Sequence, residues 1–210
     1  VGIGVFCHEF GHGLGLPDLY DTDGSSAGID SWGLMSNGGY LGAEEVPGFM
    51  SAWGRVTLDW ITPEKISNGS YALAGSTTST EVYKINTSVP KEYFLLENRQ
   101  QTGQDTYIKG SGLAIWHIDD NLSGNTDESH RLVDLEQADG LGQLYTGAGR
   151  ADDGDLYPGS TLNTSFTGSS SPNSNTYDLA ASGIEITEIT EVSGVVNFTV
   201  SGGDTSYDPV

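Results

Sequence analysis

The chain has 210 residues, 36% of them hydrophobic, with 30 glycines, 7 prolines and a single cysteine. That is enough for one domain or two small ones around a sizeable core, turn-rich rather than a helical bundle, and Cys7 alone rules out an internal disulfide. The 8 basic and 29 acidic residues give a formal charge of −21, which disfavours nucleic acid and anionic membrane surfaces, and no apolar run reaches the length of a membrane span.

The chain opens on Val1-Gly2-Ile3-Gly4-Val5-Phe6-Cys7, with no initiator Met and no leader-like stretch, so a piece of a longer protein is expected. Residues 1 to about 14 predict a helix with Val1, Val5, Phe6 and Phe10 on its apolar faces. Cys7 on that helix reads as a small buried hydrophobe. From His8 to Asp18 the sequence fits H-E-x-x-H-x-x-G-x-x-D. Histidines four apart on a helix share one face, about 6 Å apart along the axis, and two imidazole nitrogens can then reach one Zn²⁺ at roughly 2.0–2.1 Å. Glu9 adjoins the first ligand and can reach a water without binding the metal itself. Gly15 permits the left-handed residue that ends the helix, and Pro17 stiffens the return that presents Asp18 as third ligand. An ordinary amphipathic helix with two satisfied histidines is the plain alternative, but it needs neither Glu9 nor Asp18.

Residues 15–46 read as loops. Within them Asp21-Thr22-Asp23-Gly24 suggests an Asx-type turn more than a cation loop. Met35 falls in the Gly/Ser/Asn-rich turn Asp30–Gly39, where a soft, unbranched thioether can fill an irregular apolar space. Residues 47–60 predict a second helix, opened by Pro47 and buried through Phe49, Trp53, Val56 and Trp60.

From Ile61 the texture changes to short alternating runs. Residues 71–73, 81–85, 92–97, 112–118 and 183–200 read as strands. His117, between Trp116 and Ile118, reads as a hydrogen-bonded structural histidine, with a supporting role in a site as the alternative. Residues 140–178 carry little pattern. Inside them Asp152-Asp153-Gly154-Asp155 gathers three carboxylates in a turn, which suits Ca²⁺; a solvated acidic loop is the competing explanation. Residues 201–210 read as a linker or tail.

The metal motif and the Met35 turn resemble those of the immune inhibitor A family of secreted bacterial metallopeptidases, within the metzincins. The similarity continues through Trp32–Ser36, the Trp53–Trp60 segment, Tyr93–Gln100, Gly112–Asp119 and Gln137–Gly140. It implies His8, His12 and Asp18 as zinc ligands, Glu9 as general base, and Met35 as the apolar floor beneath the histidines. It also implies a mixed sheet ahead of the zinc helix that this chain lacks, so zinc binding and cleavage by the chain alone are expected to be weak. Several metzincins place a Tyr two residues after the turn Met to assist the transition state; Asn37 stands there, and Tyr20 or Tyr40 remains as a substitute.

The fold expected is therefore α+β. Residues 1–61 form the C-terminal part of a metzincin-like catalytic domain (zinc helix, Met turn, second helix), and residues 62–200 a β-rich, sandwich-like domain. The function expected is a secreted zinc endopeptidase acting on protein or peptide substrates, with Ca²⁺ as a second ion at Asp152, Asp153 and Asp155, and with further domains in its parent chain. The alternatives are a non-catalytic Ca²⁺-stabilised binding module and a zinc hydrolase of another amide.

Overall fold

In the computed structural model, which describes residues 1–203, the chain is mixed α/β with a large β-rich portion. Helix α1 runs Ile3–Gly13. It ends as the sequence predicts: Gly15 takes φ +102°, Gly15 N donates to His12 O and Leu16 N to Gly11 O, at 2.9 and 3.1 Å. This is the paired 5→2 and 6→1 closure of a left-handed helix end. The helix buries its glycine face rather than its aromatic one. A Cβ on Gly4 would lie 1.9 Å from Gly39 O, so only glycine lets α1 approach the segment Asn37–Glu44 this closely. Phe6 and Phe10, expected to pack, are 62% and 69% exposed, and Cys7 is half-buried.

The second helix is much shorter than expected. Helix α2 spans only Ala52–Thr57 and is capped by Ser51, whose side chain accepts from Gly54 N. Pro47 does not open it: residues 47–51 lie outside the helix, where Gly48 N donates to Gly38 O and Phe49 N to Asp105 Oδ1. At the other end Asp59, with φ +54°, closes the helix as Trp60 N reaches back to Arg55 O. Trp60 is thereby turned outward and is 57% exposed, whereas Trp53 stays in the core.

Eight strands follow: β1 Glu64–Lys65, β2 Gly69–Leu73, β3 Tyr83–Asn86, β4 Glu92–Arg99, β5 Gly112–Asp119, β6 Val133–Leu135, β7 Glu185–Val192 and β8 Val195–Ser201. One sheet has the order β1-β3-β4-β5-β6, antiparallel except for the parallel β1–β3 pair; the other is antiparallel with the order β2-β8-β7. The run predicted over 183–200 is in fact the β7–β8 hairpin, turning on Ser193 and Gly194, both at positive φ as a two-residue hairpin loop requires.

Strands β4 and β5 are buried at every position, so both faces of the larger sheet are covered. Period-two alternation divides their side chains. Tyr93, Leu95, Trp116 and Ile118 join a core with Leu19, Trp32, Met35 and Trp53. Phe94, Leu96, Leu113 and Ile115 face the smaller sheet through Leu73, Ile186, Val196 and Phe198. The first of these cores draws on residues from both sides of the boundary expected at 61/62. Buried ions reinforce it. Glu97 accepts from Ala52 N, Arg55 and Trp116, while Arg99 donates twice to Asp105 and once to Trp32 O. Burial alone would lower the Arg99 pKa, but the Asp105 and Glu97 carboxylates raise it.

Residues 140–178 are mostly irregular yet packed, with Leu144, Leu156, Tyr157 and Phe166 in the cores. Of the expected tail, Ser201 completes β8 and Gly202 N donates to Asn68 Oδ1, and residues 204–210 lie outside the described part. No helix among the described residues is long and apolar enough to cross a membrane.

Candidate active site

Helix α1 presents His8 and His12 on one side, and the turn at Gly15 returns Asp18 to meet them. Asp18 Oδ1 lies 3.0 Å from His8 Nε2 and 3.1 Å from His12 Nε2. One ligating atom from each of the three residues falls within 4.8 Å of the others.

The outer nitrogens of both rings are fixed by main-chain carbonyls. His8 Nδ1 bonds Leu34 O and His12 Nδ1 bonds Leu16 O, both at 2.8 Å. A carbonyl only accepts, so each Nδ1 carries the hydrogen, and in the neutral ring the Nε2 lone pair is left facing Asp18. Two imidazole lone pairs and a carboxylate oxygen converging on one point repel one another unless a cation stands between them. The donor set therefore fits a zinc ion, including the outer hydrogen bonds that orient metal-bound histidines.

Glu9 is exposed and stays out of this cluster. It lines a cavity of about 270 Å³ together with His8, Tyr20, Asn37 and Tyr40. Tyr20 stacks on His8 at 6.2 Å, and burial, followed by its hydrogen bond to Asp18, raises its pKa. Tyr40 is largely exposed at the cavity rim. The Asn37 amide donates to Asp30 Oδ1 at 2.7 Å.

Met35 is 1% exposed and lies directly under α1: a Cβ added to Gly11 would sit 2.3 Å from its sulfur. Its carbonyl accepts from Leu19 N at 2.7 Å, tying the turn to the residue after Asp18. The turn also supplies Leu34 O to His8, so one segment supports both the helix and this imidazole.

Other expectations sort as follows. Asp21 is the buried acceptor of Asp23 N, Ser25 and Ser26; burial alone would raise its carboxyl, and these hydrogen bonds hold it below the usual range, as an Asx-type turn requires. His117 is buried between Glu92 and Glu136 at 2.9 and 3.0 Å and stacks on Tyr177, far in sequence and in sheet position from the α1 cluster. The run at 152–155 is not brought together as a unit. Asp152 and Asp155 lie together, Asp153 is exposed outside the group, and Asp139 takes the third place. Asp139 lies 13 positions upstream of Asp152, in the family-like segment Gln137–Gly140, and nothing in the sequence links that segment to the acidic turn.

Residues 1–60 match the family described as immune inhibitor A peptidase M6, catalytic domain. The family resemblance holds. Similar proteins include Pre-pro-metalloprotease PrtV of Vibrio cholerae serotype O1, from strains M66-2 and ATCC 39315 / El Tor Inaba N16961. Each is 38% identical over 74 residues, covering 30% of this chain and 8% of the relative. Immune inhibitor A of Bacillus thuringiensis subsp. alesti is 52% identical over 42 residues, 19% of this chain and 6% of the relative. The chain thus aligns with less than a tenth of the length of these relatives. The family's name is that of a peptidase, and PrtV's that of a metalloprotease.

Proposed function

We propose that the chain carries the zinc-binding and proton-transferring residues of a secreted metalloendopeptidase of metzincin type. The observation that carries this is the meeting of His8 Nε2, His12 Nε2 and Asp18 Oδ1 while both Nδ1 atoms are locked onto carbonyls. His8, His12 and Asp18 would hold zinc, and Met35 would be the floor. When bound, zinc supplies Lewis acidity, lowering the pKa of a water to about 7 and polarising the scissile carbonyl.

The residues of the chain do the rest. Glu9, exposed on the wall of the cavity, accepts a proton from the attacking water as its oxygen bonds to the carbonyl carbon. It then delivers that proton to the amine nitrogen as the C–N bond breaks. Leu34 O and Leu16 O hold the two imidazoles in one tautomer throughout. Tyr20 and Tyr40, with Ser36, are the hydroxyl-bearing residues that line the same cavity and the candidates to assist a developing oxyanion. A binding module has no use for a carboxylate at the position of Glu9, which sets the non-catalytic alternative aside.

Protein substrates, secretion and additional domains belong to the same proposal, supported by the names and the much greater length of the relatives. The test is casein hydrolysis by the full parent protein with Glu9→Gln. Zinc content should be unchanged, and kcat should fall by at least about 10²–10⁴-fold, the usual cost of losing a general base. Near-normal hydrolysis would refute the assignment of Glu9, and loss of zinc would make Glu9 structural.

A further inference from the structure

Asp155 is fully buried beside Asp139 and Asp152, with one carboxylate oxygen of each within 4.8 Å of the others. Acidic residues often gather without a ligand, but here one buried oxygen is left without a partner. Asp155 Oδ2 accepts from Trp32 Nε1 at 2.7 Å and from Asp152 N at 3.0 Å. Asp155 Oδ1 has no hydrogen-bond partner. A buried, unpaired carboxylate oxygen facing two further carboxylates is costly unless a cation completes it.

The surroundings are shaped for such an ion. A Cβ on Gly154 would lie 2.8 Å from Asp139 Oδ2 and 3.1 Å from Asp152 Oδ1, so a side chain there would press on both carboxylates. Gln143 Nε2 contacts Asp139 and Asp152, while its Oε1 is buried with no partner. Rotating that amide by half a turn would direct a fourth oxygen at the same point. Burial, with Asp152 and Asp139 adding to it, pushes the Asp155 carboxyl up to about 7 despite its two hydrogen bonds. A proton or a metal ion must therefore offset the charge.

We propose that Asp139, Asp152 and Asp155 bind a hard divalent cation of the Ca²⁺ class, with Gln143 as a further oxygen donor. All-oxygen ligation of this kind selects Ca²⁺ over zinc. The ion would also brace the floor of the candidate active site. Asp155 holds the indole of Trp32 three residues before Met35, and Ala151 N donates to Asp30, the same residue that anchors Asn37. The site stands on its own geometry, whether or not the chain belongs to a peptidase.

Tb³⁺ titration of the zinc-loaded 210-residue chain under tryptophan excitation tests it, because Trp32 contacts the site directly. Saturable emission, displaced by Ca²⁺, is expected in the wild type and in Asp153→Asn, and is lost in Asp139→Asn and Asp152→Asn. No saturable emission in the wild type overturns the proposal, as does its survival in both of the latter variants or its loss in Asp153→Asn. Calorimetry on the wild type alone guards against variants that fail to fold. Ca²⁺ should bind the wild type saturably. Absence of Ca²⁺ binding by the wild type overturns the proposal.

Discussion

Replacing Gly11 with alanine puts the packing beneath the candidate zinc site to a quantitative test. The new methyl carbon would fall 2.3 Å from Met35 Sδ and 3.0 Å from Cε, whereas non-bonded heavy atoms settle at about 3.5–4.0 Å. Met35 must therefore retreat by more than about 1 Å, and at 1% exposure it has no solvent to move into. Two effects compete. Alanine favours the helix over glycine by about 1 kcal/mol, and overpacking a closed core costs about 1–3 kcal/mol. Because the Met35 carbonyl is also held by Leu19 N, the main chain of the turn cannot give freely, and overpacking should win by about 1–2 kcal/mol. Displacing the turn also moves Leu34 O, which orients His8, so zinc affinity should fall, by up to about ten-fold. Urea unfolding and competition with a zinc chelator measure the two effects. Adding Met35→Ala to Gly11→Ala should recover part of both losses, giving a positive coupling in the double-mutant cycle. If Gly11→Ala instead gains the full helix increment with unchanged zinc affinity, Met35 does not lie under α1.

Two further outcomes follow from buried charges. His117 is raised to about 9: burial alone would lower it, but Glu136 and Glu92 more than compensate. Its folded pKa exceeds the unfolded value of about 6.5, so the stability it contributes is complete below that pH and is lost as pH rises through about 9. Glu136 is itself raised, by burial, so the net gain is a fraction of what the histidine alone suggests. Unfolding free energies measured from pH 8 to 9.5, where Asp155 is already largely ionised, should fall in the wild type and stay flatter in His117→Gln; parallel curves would contradict this. Arg99→Met should destabilise by about 3–5 kcal/mol, since it leaves the buried Asp105 carboxylate without its counter-charge and releases Trp32 O. A loss below about 1 kcal/mol in urea unfolding would show that water reaches this carboxylate.

What could be foreseen from the sequence is what depends on near neighbours. His8, His12, Gly15 and Asp18 lie within one helix and the turn that ends it, so their meeting is fixed by local geometry. The alternating runs foretold β2 to β5, although β4 extends to Asn98 and Arg99, whose polar side chains are buried by partners distant in sequence. β1 and β6, at two and three residues, are too short to show a period. The second helix starts five residues later than Pro47 suggests, after the cap Ser51, and Gly48 and Phe49 are instead tied to Gly38 and Asp105, partners that local propensity does not reveal. The same distance hid Asp139 from Asp152 and Asp155, and Asp30 from Ala151.

The central claim is tested most directly by a crystal structure of the zinc-loaded chain, with anomalous scattering at the zinc edge to identify the ion. One zinc should be found bonded to His8 Nε2, His12 Nε2 and an Asp18 carboxylate oxygen, with both Nδ1 atoms still on Leu34 O and Leu16 O, Glu9 unligated, and no fourth protein ligand. Zinc located elsewhere, Asp18 beyond bonding distance, or a fourth side chain closing the coordination sphere would contradict the account.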